Sequence, residues 1–385
     1  MINTNINHIK FENFKINKKK NNKVNLFFKK ILRENTAIIK SLKKNYKDKY
    51  NKKFVKKFNR FKKINIFGMG GSILGSKAIY NFLSSSKKDC LFIDNFSNKL
   101  IKRFSKNDLN LIISKSGNTL ETIANSNALI KKWKQTIFIS ENKRNYLTSL
   151  AAKLKSEIIH HNNYIGGRFS VLSEVGMLPA DLMGYNPIKF RRLNQLIKNK
   201  NFYNSLINNV SCIYNFYLKG KTNSIILNYD TSANDLFLWY QQLTAESLGK
   251  NNKGILPIIS SMPSDNHSLM QYYLDGPKNH FFTFFFTKEK SIKIDQRLKI
   301  KSPHNIFGKT LNQISYSQFL ATKKVFKEKN IPFRSFEISK KKEETIGSLF
   351  IYFILETILL GNLMKVNSFD QPSVELIKVE TKKFL

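Results

Sequence analysis

Residues 109–122, LNLIISKSGNTLET, restrict the possible fold more than any other stretch of the chain. The continuous apolar run Leu111, Ile112 and Ile113 suits a strand covered on both faces, which is the situation in parallel sheets flanked by helices. The run passes directly into Ser114, Ser116, Gly117, Asn118 and Thr119, and a helical pattern follows. Hydroxyls and free amides thus collect at a helix start, where orphan N–H groups and the positive dipole end favour an anion such as phosphate. A strand-to-helix connection capped by Ser and Thr accounts for the same residues, so the stretch alone leaves both readings open.

The surrounding sequence extends the strand–helix alternation. From Ile64 the chain reads INIFG, a helix over about 72–83, CLFID at 90–94, the opening stretch with its helix to about 132, and TIFIS at 136–140. A second series follows: SIILNY at 224–229, a helix over about 234–248, ILPIIS at 255–260, FFTFFF at 281–286, a helix over 315–327, FRSFEI at 333–338 and closing helices. Such alternation specifies an α/β fold of doubly wound α/β/α sandwiches with mostly parallel sheets. At 385 residues the chain exceeds one ordinary core, so two such domains are expected, over 46–190 and 191–385. Pro187 and the cluster Lys189, Arg191 and Arg192 mark the boundary. Residues 1–45 are Lys-rich, with Leu26, Phe27, Ile31, Leu32, Ile38, Ile39 and Leu42 near helical spacing, which predicts helices lying against the body of the protein, in a solvated helical arm rather than a separate domain.

The formal net charge of +40 would suit nucleic acid or an anionic membrane. Its Lys residues are spread along the chain among Asn and Ile, as an AT-rich coding sequence would supply them. Nucleic-acid readers concentrate their charge, so no nucleic-acid partner is expected. Cys90 and Cys212 make no disulfide framework, which fits a reducing cytoplasm. The adjacent His160 and His161 have no metal-ligand spacing, so no metal is expected. No signal peptide is apparent, and Gly347, Ser348, Glu356, Gly361 and Asn362 interrupt the apolar segment 346–364. That segment reads as a buried amphipathic helix rather than a membrane span.

Several stretches carry groups suited to chemistry. GMGGS at 68–72 leaves a strand and opens a helix, so Gly70 and Gly71 admit a ligand close to the backbone while Ser72 offers a hydroxyl. It lacks the third glycine of a dinucleotide fingerprint, where Ile73 stands. In YIGGRFSVLSEVGMLP a Gly pair precedes Arg168, whose fork suits an oxyanion, although a surface loop arginine would look the same. In SANDLFLWYQQLTAESLGK, Leu236, Trp239, Tyr240 and Leu243 share a helical face with Glu246 at its edge. Partial desolvation there raises a carboxylate pKa towards that of a general base, whereas pairing with a lysine is the plain alternative. His267 follows a turn signal in MPSDNHSLMQYYLDGP, and Lys378 lies in DQPSVELIK.

GMGGS, SKSGNTLET, GGRFSVLSEVGMLP, QQLTAESLGK, DNHSLMQYYLDGP and SFDQPSVELIK occur in the order found in one family. Over about residues 64–380 the chain resembles the phosphoglucose isomerases, built from two sugar isomerase (SIS) domains. The resemblance implies an aldose–ketose isomerase interconverting glucose 6-phosphate and fructose 6-phosphate through a cis-enediol(ate), in glycolysis and gluconeogenesis, without metal or organic cofactor. It makes Glu246 the base that moves a proton between C2 and C1, and Arg168 the group that stabilises enediolate charge. His267 would assist ring opening from the neighbouring subunit of a homodimer, and Lys378 would assist ring opening or proton shuttling, with Gln371 beside the substrate. Ser114, Ser116 and Thr119 match phosphate-binding hydroxyls, and Gly71 with Ser72 matches the sugar-contacting turn. Two competing readings are a dual phosphoglucose/phosphomannose isomerase and a non-catalytic SIS module that binds sugar phosphates. The latter predicts loss of the base, whereas Glu246, His267, Arg168 and Lys378 are all present.

Overall fold

A computed structural model describes residues 3–14, 21–96, 103–130, 132–295 and 303–385. In chain order its strands are β1 (Asn3–Ile6), β2 (Ile9–Glu12), β3 (Lys63–Phe67), β4 (Asp89–Ile93), β5 (Leu109–Ile113) and β6 (Thr136–Glu141). They continue with β7 (Glu157–His161), β8 (Asn223–Asn228), β9 (Leu256–Ser261), β10 (His280–Thr287) and β11 (Phe333–Ile338). One sheet, ordered β4-β3-β5-β6-β7, is parallel throughout. The other is ordered β1-β2-β11-β10-β8-β9, with β8 to β11 parallel and the β1–β2 hairpin antiparallel on the β11 edge. Central strands are buried residue by residue, as β5 and β10 show, which is why they read as unbroken apolar runs. The α/β class and the mostly parallel sheets follow the sequence reading.

The amino-terminal segment differs from that reading. Residues 3–12 form a hairpin turned by Asn7 and His8, both with positive φ, rather than part of a helical arm. Ile6, Ile9 and Phe11 are buried and Lys10 is exposed, a period of two that fits a strand and not a helix. The hairpin covers what would otherwise be an open sheet edge at β11. The next segment lies against the body of the protein, as the spacing of its apolar residues predicts. Helices Asn21–Glu34 and Ala37–Ser41 place Val24, Phe28, Ile31, Ile38 and Ile39 in the main core, and Leu42 follows them in. The Lys-rich residues 15–20 lie outside the described residues. Strand β7, EIIHH, also escaped the sequence reading because its alternation is short and polar at both ends.

Helices Leu74–Leu83 and Asn234–Leu248 each follow the first parallel strand of their sheet, β3 and β8, and pack against one another, which brings the two sheets' ligand edges together. Helix Glu343–Met364 is buried on every side instead of being amphipathic. By length and composition it would span a membrane, yet here it is the central core helix, packed on helices Lys200–Leu218 and Asn234–Leu248. Its one interior charge, Glu356, is ion-paired with Arg334 and also receives Tyr240 Oη at 2.7 Å.

Candidate active site

In the five-stranded sheet, β4 lies on one side of β3 and β5 on the other, so the winding reverses between β3 and β5. Ligands of open α/β sheets bind in the crevice at such a reversal, outside the carboxyl ends of the strands. GMGGS leaves β3 there and SKSGNT leaves β5, as the sequence indicated. In the second turn Gly117 has φ +68°, and a Cβ would fall 1.9 Å from Asn145 Oδ1, so only glycine fits. Its amide donates to Ser114 Oγ at 3.1 Å, and Ser114 Oγ lies 2.8 Å from Thr119 Oγ1. Asn118 Oδ1 accepts from Tyr146 N at 2.9 Å, which fixes the outer side of the turn. Thr119 precedes helix Leu120–Leu129 without capping it through its side chain, so the first amides of that ten-residue helix keep their donor capacity. Ser114 is buried, Thr119 half-buried and Ser116 exposed. A glycine turn, clustered hydroxyls and open helix amides therefore stand together at this switch point.

The first turn meets a third segment. A Cβ on Gly71 would lie 2.2 Å from the carbonyl carbon of Gly167, and Ser170 Oγ donates to Gly71 O at 3.3 Å. GMGGS and GGR are thus pressed backbone to backbone, which is what their glycines permit. Ser72 stands half-buried at the entry to the helix that follows. Arg168, 3% exposed, emerges from this contact with its fork fully engaged. Its Nε donates to Ser247 Oγ at 2.8 Å, Nη1 to Gln371 Oε1 at 2.7 Å, and Nη2 to the carbonyls of Ser368 and Asp370 at 2.7 and 2.9 Å. Burial pulls the guanidinium down from its ordinary pKa, and the charges of Glu246 and Asp370 act against that.

Glu246 lies opposite, two residues before the end of its helix, with its side chain 19% exposed. One carboxylate oxygen is 3.2 Å from Arg168 Nη1, and the other accepts from Gln242 Nε2 at 2.9 Å. The apolar stripe of Leu236, Trp239, Tyr240 and Leu243 is buried as expected. The carboxylate itself meets a guanidinium and an amide where partial desolvation by the stripe was anticipated. Gln242 was missed in the sequence, although it stands one helical turn before Glu246. Its amide reaches the GMGGS turn, where a Cβ on Gly70 would lie 2.7 Å from Nε2, while its Oε1 is buried without a hydrogen-bond partner in the protein. Ser247 and the Ser368 and Asp370 carbonyls were missed too, and backbone acceptors leave no trace in side-chain identity.

Arg168, Glu246 and Gln371 therefore meet, with Gly71 packed behind Arg168 and the Ser114–Thr119 turn on the neighbouring strand. The structure does not bring His267 or Lys378 to them. His267 is exposed, after a turn Ser264–Asn266 that Asp265 staples to Ser260 Oγ, Ser261 N and Ser268 Oγ. Lys378 lies on the exposed helix Val374–Phe384, and its Nζ pairs with Glu375 at 2.6 Å. Among the described residues no group of three or more His, Cys, Asp or Glu side chains gathers as metal ligands.

Two doubly wound halves, a preformed anion cradle at a switch point and an Arg–Glu pair beside it define the class of the phosphosugar isomerases. The chain's architecture matches a Thermus thermophilus protein described as hypothetical, with a TM-score of 0.82 at 22% identity and 94% of each chain covered. It also matches a glucose-6-phosphate isomerase of Chlamydia trachomatis, with a TM-score of 0.77 at 18% identity over 99% of this chain and 89% of that one. Sequence relatives are glucose-6-phosphate isomerases of Methanocaldococcus jannaschii, 33% identical over 337 residues and 82% of each chain, and of Campylobacter jejuni, 29% identical over 348 residues, 84% of this chain and 85% of that one. The family model of phosphoglucose isomerase matches residues 18–255, and the chain belongs to that family.

Proposed function

We infer that the protein interconverts D-glucose 6-phosphate and D-fructose 6-phosphate. The observation that carries this reading is the Glu246 carboxylate, held between Arg168 and Gln242 at the mouth of the crevice that the anion cradle opens on. Ser114, Ser116, Thr119 and the free amides of helix Leu120–Leu129 hold the substrate phosphate, remote from the reacting carbons, so that its binding energy orients C1 and C2. Gly71 and Ser72 border the sugar, and Gln371 lies beside it through its bond to Arg168. On the open-chain aldose, Glu246 removes the proton from C2. The C1 carbonyl π electrons move onto O1, and a C1–C2 double bond forms. Arg168 places its guanidinium charge beside the resulting enediolate oxygens: protein acceptors hold Nε and Nη2, and the Nη1 group that faces Glu246 is released towards the enediolate once Glu246 is protonated. The O2 hydroxyl proton passes to O1, the protonated Glu246 returns its proton to C1, and the electrons left on O2 close the C2 carbonyl of the ketose.

The residues for ring opening come from outside this constellation in the single chain. A cytoplasmic homodimer is our reading, in which the exposed His267 of one subunit serves the other's site and Lys378 approaches on the carboxyl-terminal helix. Exposure of both side chains supports it, and the two cysteines of the chain, Cys90 and Cys212, both buried, suit a reducing compartment. The test is a coupled assay with fructose 6-phosphate on wild type and Glu246→Gln, alongside substrate binding by calorimetry. The variant is expected to lose turnover by about three orders of magnitude or more while binding within a few-fold of wild type. Wild-type turnover in Glu246→Gln would overturn the assignment of the base.

A further inference from the structure

Behind the turn that presents Arg168 lies a buried histidine–carboxylate pair that the reaction scheme leaves unused. His161 ends β7 at 2% exposure, and Glu174, 0% exposed, begins helix Glu174–Leu182. His161 Nε2 is 3.0 Å from the carbonyl oxygen of Ile165. A carbonyl only accepts, so Nε2 carries a proton. Nδ1 is then turned towards Glu174 Oε2 at 3.7 Å and has no hydrogen-bond partner. A neutral ring in this pose would point a lone pair at a buried carboxylate, whereas a second proton turns that repulsion into an ion pair.

The carboxylate is built to stay charged. It accepts from Tyr46 Oη at 3.1 Å and Lys49 N at 3.2 Å, and it sits at the positive end of its helix. Burial would raise its pKa, but the facing His161 ring and the hydrogen bonds from its own backbone amide and Tyr46 hold it below the usual carboxylate range. The same carboxylate and burial push the Tyr46 phenol upward, so that it remains a donor. The other ionisable groups around the pair are His160 on the same strand, Tyr50, and Arg191, which lies 4.8 Å over the Tyr46 ring and is ion-paired with Asp48.

The pair acts on the residues between its members. Ile165 closes the turn Asn162–Ile165 and precedes Gly166, Gly167 and Arg168, while Lys115 of the anion cradle donates to Asn163 O at 2.8 Å in the same turn. We propose that His161, doubly protonated against Glu174, is a positioning residue that fixes this turn and thereby the aim of Arg168 at the developing enediolate. The proposal rests on the role given to Arg168 above.

Two readouts test it. In protein labelled with 15N-histidine at neutral pH, with His161 assigned by its loss in His161→Gln, both ring nitrogens should show the protonated signature. Glu174→Gln keeps an acceptor for Tyr46 but removes the charge. It should convert His161 to a ring with one bare nitrogen and lower kcat about tenfold, with KM for fructose 6-phosphate within twofold of wild type. A bare Nδ1 in the wild-type spectrum overturns the proposal, and so does an unchanged kcat in Glu174→Gln. The wild-type spectrum decides even if that variant does not fold. Arg168→Lys separates the two levels: wild-type turnover there removes the role of Arg168 and the proposal with it, irrespective of the histidine spectrum.

Discussion

At the scale of single residues, the site depends on positions where only one side chain fits. Gly117 combines φ +68° with an approach to Asn145 that leaves no room for a methyl group. Gly117→Ala should therefore cost roughly 1–3 kcal/mol of backbone strain and raise KM for the sugar phosphate more than it lowers kcat, readable from thermal denaturation and steady-state kinetics. Glu174 gives a pH prediction with a definite sign. Its folded pKa lies below its ordinary value of about 4.5, so it binds protons more weakly in the native state than in the unfolded one. Its stabilisation is complete above that unfolded value and is lost as pH falls through the lower folded value. Acid unfolding followed by circular dichroism should show a shallower loss of stability below about pH 4.5 in Glu174→Gln than in wild type. An identical slope would show that Glu174 is not the group being titrated.

At the scale of elements, the buried pair Arg334–Glu356 joins β11 to the central helix Glu343–Met364, and Tyr240 links both to the helix that carries Glu246. Asn209 bonds Glu356 from helix Lys200–Leu218, so four elements meet at one charge pair. Removing one partner strands the other charge in the core. Glu356→Gln should lower stability by about 3–5 kcal/mol in denaturant titration, and Arg334→Met with Glu356→Leu should recover most of that loss. The elements differ in how far sequence revealed them. Helix Asn234–Leu248 and strand β11 coincide with their patterns because Trp239, Tyr240, Leu243 and Phe336 face the main core, while Phe333 fills the second core on the other face of the sheet. The hairpin of residues 3–12 did not stand out. Its four-residue strands are stable only on the β11 edge, which no local pattern announces.

For the whole molecule, a net charge of +40 on 385 residues is a source of self-repulsion that the fold must overcome. Few of the lysines are neutralised inside; buried Lys323, between Glu12 and Glu337, is an exception. Raising ionic strength from about 0.01 to 0.15 M shortens the screening length from roughly 30 to 8 Å. The thermal midpoint should rise over that range in calorimetry. A fall would mean that attractive surface pairs outweigh the general repulsion. The same screening should weaken the capture of a sugar phosphate, visible as a KM that increases with salt.

The sequence by itself determined the α/β class, the two series of strands, the turns that bear Ser114, Gly71 and Arg168, and the helix that bears Glu246. Those features depend on local periodicity and on glycines and hydroxyls at fixed offsets, which neighbours in the chain dictate. Only the tertiary structure decided what surrounds the chemistry. Carbonyls 200 and 202 residues beyond Arg168 complete its fork, Ser247 holds its Nε from 79 residues away, and Tyr46 reaches Glu174 across 128 residues. These partners meet because packed helices and parallel strands bring distant segments within hydrogen-bond range. The energy of such meetings comes from burial shared across the fold, which no single stretch of sequence contains.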